Sequence, residues 1–582
     1  MLLALALSAL VIVIAQWLFP SPHPTRPGGT ADTASSHVAP SPSELAPGAA
    51  TSDTGAHAQQ PTALAQVKPS ANQGAGAAKA PGGAAPAGAP STAPETLPVS
   101  TAHAVYRFSN VGASLVSVKM RDYPSRAPGA RGEAELVEPG QPLLRYHVIL
   151  GRDTLPLDRT VFQGSATRAA DGSPLVTFHA TVGGSTSAVI RYAISPDGYV
   201  SHVQGTISST QTSTTPTEAQ GPAYLLIDLP TGLASFEADT LDDQRHLAYA
   251  VKPARGDATS TLFSKLDPGE QKLQPGPISW AAAKDKYFLV GLLAADTSSS
   301  HQFAEVDMTG GPRTSNLASR AAATAVLPLG GGTGERSFAF DLYAGPQEWR
   351  RLRAIGRDFE DVNPYGGFLH PLLQPFATLV MQTILWMRAE LKLNYGWVLI
   401  IFGVVVRFAL WPLNQRAMKT SLKMQAIQPE LAVVQKRYAN DQTKLQAEMM
   451  RVYREHGMSP FSPIAGCLPM LLPMPIFFTL LFVFQNTIEF RGVPFLWLHD
   501  ISVKDPYYIL PLIMGASAFV LSWIGLRNSP PNPQAKMMGY MFPLMMTVLL
   551  ANVAAGLNLY YAVQNIAALP QQWLLARARK KA

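Results

Sequence analysis

Four blocks in the last third of this sequence, 394–413, 463–488, 506–526 and 537–576, hold a single Asp, Glu, Lys, Arg or His among them. That residue is Arg407, inside the run Tyr395–Pro412 (YGWVLIIFGVVVRFALWP). Runs of about 20 apolar residues are long enough to cross the hydrocarbon core of a bilayer as helices. A guanidinium at that depth costs roughly 2.5–3.5 kcal/mol on insertion scales. It cannot shed its proton to escape that cost. Water, a polar cavity or an anionic group must solvate it. Two readings stay open: Arg407 snorkels to the nearer interface, which its place close to Pro412 allows, or it forms a wet, positively charged site within a helical bundle.

Composition supports a membrane protein. The chain of 582 residues is 47% hydrophobic and 15% charged, against roughly 25% charged in soluble proteins. The net charge of +7 does not point to nucleic acid, because no zinc-finger spacing, RNA-binding signature or concentrated basic domain accompanies it. Positive charge flanking membrane spans explains it better. The single cysteine, Cys467, excludes an internal disulfide and a multi-cysteine metal site. Neither a metal nor a cofactor is expected.

Four regions precede the apolar blocks. Residues 2–19 are apolar apart from Ser8 and Gln16, with no small-x-small cleavage site after them. A retained transmembrane anchor over 1–20 is expected. Residues 21–100, rich in Pro, Ala, Gly, Ser and Thr, read as a disordered linker that lets the next domain sit away from the membrane. Residues 101–345 carry short alternating segments such as AVYRF, YHVIL and AVIRYAI, with Pro196-Asp197-Gly198 as a hairpin turn. Such spacing predicts an all-β sandwich. No HExxH, GxSxG, P-loop or dinucleotide motif occurs, so an enzyme is not expected and a scaffold role suits this domain. Residues 346–393 read as a linking helix followed by an amphipathic helix. Leu372–Met387 is about 24 Å long as a helix, short of the roughly 30 Å core. Its stripe Gln374, Thr378, Gln382 suits a helix lying in the interface.

Charge then orients the spans. The loop 414–462 has eight Lys/Arg against four acids, which places it in the cytoplasm. Its apolar residues Met424, Ile427, Leu431, Val434, Tyr438 and then Leu445, Met449, Val452, His456 keep coiled-coil spacing, with Asn440 and Asp441 suited to a turn and a helix N-cap between them. A helical hairpin is predicted. Spans follow at 463–488, kinked by Pro469, Pro473 and Pro475, at 506–526, and at 537–552 and 554–576, which break near Asn552–Gly556. With 394–413 and the anchor this makes six spans, both termini and the basic tail 577–582 inside, and the β domain outside.

The last helix bears polar residues on adjoining lines: Asn558, Tyr561, Asn565, Gln572, and beside them Tyr560, Gln564, Gln571. Interhelical hydrogen bonds and the wall of a hydrated groove opposite Arg407 explain this spacing equally well.

The stretch Tyr395–Arg577 is similar to the conserved core of the YidC family of bacterial membrane-protein insertases. The similarity rests on VVVRFALWPL, QPEL, EMMRVYREHGMSP, GCLPMLLPMPIFF, PFLWLHDISVKDPYYILPLIMG and GLNLYYAVQN, in family order and spacing. The outer domain resembles the family more weakly, around ISWAAAKDKYF. The resemblance implies a polytopic α-helical membrane protein, an N-terminal anchor plus a five-helix core, with a large periplasmic all-β sandwich in a Gram-negative inner membrane. It implies an insertase and chaperone with no catalytic residues. Nascent membrane proteins would be its clients, and a Sec-type translocase, the ribosome and membrane lipids its further partners. Arg407 stands at the family's groove arginine, and Tyr560 and Tyr561 stand at aromatic positions of its substrate-facing helix. Gln564 and Asn565 complete the expected substrate groove. Gly403 stands where some members carry a polar residue.

Overall fold

The structure is a computed structural model. It describes residues 94–581 except 152, 197, 210–221, 297–301, 315–316, 332–333, 365–369, 413–414, 416–426, 428, 458–473 and 528–532. The expected anchor, nearly all of the expected linker, and Cys467, Pro469 and Pro473 lie outside the described residues.

Alternation builds the β domain. In the strand Thr186–Ile194, Thr186, Ala188, Ile190, Tyr192 and Ile194 are buried while Ser187 and Arg191 face solvent. The pleat sends successive side chains to opposite faces, so one face of this strand joins a core. It pairs antiparallel with Pro174–Val182 on one side and Val200–Ser209 on the other. Continued outward, this pairing gives a sheet of fifteen strands, from Asp153–Pro156 at one edge to Gln163–Arg168 at the other. A second sheet of four strands runs Thr96–Ser100, Ala104–Ser109, Ser114–Pro124, Glu133–Glu135. The two share one hydrophobic core. Phe108 of the smaller sheet lies 4.9 Å from Tyr192 of the larger, and the Tyr192 hydroxyl donates to Ala113 O at 2.8 Å. Fold and expectation differ at one edge: Thr96–Ser100, assigned by composition to the linker, is a strand paired with Ala104–Ser109.

The chain leaves the domain through a short helix, Trp349–Ile355 (α1), and Phe359 beyond it packs against Trp280 and Tyr343. Helix α2, His370–Leu391, has 22 residues, longer than the Leu372–Met387 run, because polar residues at its C-terminal end extend it past the apolar stretch. Leu373, Ala377, Val380, Met381, Ile384 and Leu385 are buried, while Phe376, Leu379 and Trp386 are exposed. Of the polar stripe, Gln374 donates to Asp361 Oδ1 at 2.6 Å, and Gln382 is exposed.

Further helices among the described residues are α3 (Tyr395–Ala409), α4 (Gln442–Glu455), α5 (Met474–Asn486), α6 (Ile509–Leu526), α7 (Pro533–Leu550) and α8 (Ala555–Lys581). Asn394 caps α3 by accepting from Gly396 N–H, and Asp441 caps α4 by accepting from Lys444 N–H. Ile427 and Leu431 pack against Val452 and Tyr453 of α4, with Val434 and Met449 beside them. Helix α8 lies along α6 and α3, and α6 lies along α7. Among the described residues, α6 alone is long and apolar enough to cross a membrane by itself; Tyr395–Ala409, Ile476–Asn486 and Lys536–Leu550 are shorter apolar helices.

The helical region is in direct contact with the β domain. The segment after α5 is gripped by it. Arg491 Nε pairs with Glu237 at 2.7 Å and its Nη2 donates to Pro124 O at 2.9 Å. In the other direction, Arg126 of the β domain reaches Asp500 at 3.3 Å.

Candidate hydrophilic groove

Helix α3 presents Gly403 and Arg407, one turn apart, to α8. An added Cβ at Gly403 would lie 3.2 Å from Val563 Cγ1 and 3.5 Å from Tyr560 Cδ2, so the glycine lets the two backbones come close. That approach exposes the Gly403 carbonyl to a side chain of α8. Gln564 Nε2 donates to Gly403 O at 2.8 Å and to the Tyr560 hydroxyl at 2.9 Å. The Tyr560 ring lies 5.8 Å from Phe402, and Tyr560 is buried. One turn further along α3, Arg407 Nη2 donates to Gln571 Oε1 at 2.7 Å. Tyr560, Gln564 and Gln571 thus form one polar line facing α3.

This line is incompletely satisfied. Arg407 Nε and Gln571 Nε2 are sealed from solvent and have no hydrogen-bond partner among the described residues. Gln571 is 3% exposed, and Arg407 is partly buried. Among the described residues the guanidinium therefore holds one neutral amide oxygen and no carboxylate. A carboxylate would add opposite charge and a two-oxygen match to the guanidinium fork, which the single amide oxygen lacks.

The second polar line of α8 points elsewhere. Asn558 Nδ2 donates to Leu550 O at 2.9 Å. Tyr561 packs against Phe477 of α5, with ring centroids 5.1 Å apart, and its hydroxyl is buried without a partner among the described residues. Asn565 Nδ2 donates to Met514 O and Ser517 Oγ of α6, both at 3.2 Å. Of the five residues expected at the groove, Arg407, Tyr560 and Gln564 meet at the α3–α8 contact. Tyr561 lies next to Tyr560 but faces α5, and Asn565 faces α6. Gln571, the hydrogen-bond partner of Arg407, was not among the five. The spacing of Tyr560, Gln564 and Gln571, four and then seven, is the available signal.

The family model described as "YidC periplasmic domain" matches residues 96–379, and the one described as "60Kd inner membrane protein" matches residues 386–582. A membrane protein insertase YidC of Anaeromyxobacter sp. (strain Fw109-5) is 36% identical over 311 residues, 53% of this chain and 53% of that protein. One of Anaeromyxobacter dehalogenans (strain 2CP-C) is 32% identical over 361 residues, 62% of each chain. The chain thus matches between about half and three fifths of the length of these relatives. A crystal structure of an active YidC insertase with its first transmembrane domain resolved covers 82% of this chain and 92% of its own, at 17% identity and a TM-score of 0.31. So loose a superposition adds nothing to the sequence matches. Those matches follow one another along the chain, one over the β domain and one over the helices, and the chain belongs to the YidC family.

Proposed function

We propose that this chain is a membrane protein insertase and chaperone of the bacterial inner membrane. It inserts, folds and helps assemble integral membrane proteins, either alone or with a Sec-type translocase. In this reading the helical region contributes five spans and residues 1–20 a sixth. The β domain is periplasmic and both termini are cytoplasmic. The observation that carries the mechanism is the Arg407–Gln571 contact: a cation placed among apolar helices and, among the described residues, held by one amide and with an unused donor.

The physical sequence is short. A client's brief hydrophilic, often acidic, segment exchanges with Gln571 on the guanidinium and sits there partly desolvated but matched in charge. Its apolar segment meanwhile moves into lipid beside α5 and α8. The transfer of about 20 apolar residues from water drives release. Gln564 and Tyr560 supply neutral polar contacts beside the cation, while Tyr561 and Asn565 tie α8 to α5 and α6. The cytoplasmic hairpin 414–462 guides the arriving chain, its basic face meeting lipid headgroups or the ribosome.

The test is insertion of a client with a short acidic tail into proteoliposomes holding only this protein, scored by protease protection of the tail. Arg407→Ala is run alongside. Protection with the wild type and loss with the mutant support an autonomous insertase using the groove charge. Protection with neither, from folded protein, favours the alternative of an assembly factor that works only with a partner translocon. Protection with both removes Arg407 from the mechanism.

A further inference from the structure

We propose that the turn 488–492, immediately beyond α5, is a protonation-controlled latch by which the β domain holds and releases the outer end of that helix. The turn is held from two sides. Arg491, whose side chain is 2% exposed, enters the β domain, pairs with Glu237, donates to Pro124 O and lies 5.6 Å from the Phe288 ring. Glu489 faces the exit of the domain: its Oε1 accepts the backbone N–H of Trp349, the first residue of α1, at 3.1 Å.

Glu489 is the unusual member. The residue is partly buried as a whole, yet its Oε2 is sealed from solvent and has no partner among the described residues. The charged and titratable groups that face it are Glu348 and Arg350, flanking Trp349, Tyr123 from the strand Ser114–Pro124, and Tyr395 from the first turn of α3. Arg388 of α2 is occupied over the Tyr395 ring, at 5.5 Å. Glu348 is engaged by the Tyr123 hydroxyl and by Arg351 at 2.9 Å. None of these cations forms an ion pair with Glu489 among the described residues. A carboxylate lodged this way is tolerated when neutral and costly when ionised.

Burial, reinforced by Glu348, pushes the Glu489 carboxyl up to about 7. Released into water it returns to the ordinary glutamate value of 4.5. An acid whose pKa is higher in the gripped state favours that state most strongly below its released value. The preference fades as pH rises from there through about 7. Burial also raises Glu237, against the opposing pull of Arg491, which adds a contribution of the same sign. The grip is therefore tighter in acid than in neutral surroundings.

The experiment is backbone hydrogen exchange on the full chain in lipid nanodiscs between pH 5 and pH 8, corrected for the intrinsic pH dependence of exchange. Peptides covering Trp349 and 488–492 are compared with the core strand 186–194. In the wild type, protection of the first two falls by on the order of 10–100-fold across this range while the core strand stays constant. In Glu489→Gln, which cannot ionise, most of this fall is lost and only the contribution of Glu237 remains. In Arg491→Gln it is low at both ends. A wild type whose latch peptides do not change with pH overturns the proposal, and so does a Glu489→Gln protein that keeps the wild-type slope. The core strand reports whether each variant is folded. The measurement reads the grip and not insertion, so its failure leaves the groove reading untouched.

Discussion

The Arg491 side chain is buried and Arg407 is partly buried, and they are treated in opposite ways. Arg491 has a carboxylate on Nε, a backbone carbonyl on Nη2 and an aromatic ring beside it. Arg407 has one amide oxygen on Nη2 and nothing on Nε among the described residues. A guanidinium presents five donors in a fixed fork, so the number filled from within the protein says how much is left for something else. Arg491 spends two donors on the fold, one of them on a carboxylate, and joins two parts of the chain. Arg407 keeps donors unspent among the described residues, where a buried donor without a partner is costly. The first pattern suits a joint, the second a binding site.

The contrast breaks most readily at Arg491. Removing one partner of a buried ion pair typically costs about 3–5 kcal/mol, because the other charge is left stranded. Arg491→Ala should therefore lower the thermal stability of the full chain in detergent and expose the junction near Pro124 to protease. The double substitution Arg491→Met, Glu237→Leu should recover much of the loss by replacing the pair with apolar contacts. If Arg491→Ala unfolds no more easily than the wild type, the joint is not where the strength lies.

Arg407→Ala should behave the other way. Stability should change by no more than about 1–3 kcal/mol, the cost of leaving a buried amide oxygen unpaired, offset by removal of a partly buried cation. Insertion of acidic-tailed clients should fall at least about tenfold, the equivalent of about 1.4 kcal/mol of lost interaction. Arg407→Lys should retain part of the activity, since the charge remains but the fork is gone. Gln571→Glu sharpens the point further. It supplies Arg407 with a carboxylate of its own, turning the open site into something like the Arg491 joint. The expected result is unchanged or higher stability together with slower client insertion. Faster insertion would contradict the exchange mechanism.

How much of this was readable from the chain depended on distance along it. Asp441 before an apolar heptad run is a local cap signal, and it caps α4. The alternation of Thr186–Ile194 needs no knowledge of its neighbours to be seen as a strand. The strand Thr96–Ser100 was hidden because its TLPVS sequence continues the composition of the linker and is fixed by pairing with Ala104–Ser109. On α8 the polar residues were visible, but which neighbour each would face was not. Gln564 and Asn565 are adjacent in sequence and about 100° apart around a helix, enough to send one to α3 and the other to α6. Gln571 and Gln572 pose the same ambiguity. The Arg491–Glu237 pair joins residues 254 positions apart, and no periodicity or motif foretells it.

The smallest effect lies at Gly403, and it tests whether the open site depends on how closely α3 and α8 approach. Alanine gains up to about 1 kcal/mol of helix propensity over glycine in a helix interior. Its Cβ would meet Val563 Cγ1 at 3.2 Å, tighter than ordinary contact, so α8 must give way by a few tenths of an ångström. Those two contributions oppose, and the net stability change of Gly403→Ala should lie within about 1 kcal/mol. The displacement acts on the Gln564-to-Gly403 carbonyl bond and, one turn on, on the Arg407–Gln571 contact. A guanidinium held less firmly by its amide is easier for a client carboxylate to take but worse positioned to receive it. Insertion in the proteoliposome assay should therefore move by less than about threefold in either direction, under 1 kcal/mol. A much larger loss from this single methyl group, in a protein of unchanged stability, would mean that the spacing between the two helices governs insertion more than the charge on Arg407 does.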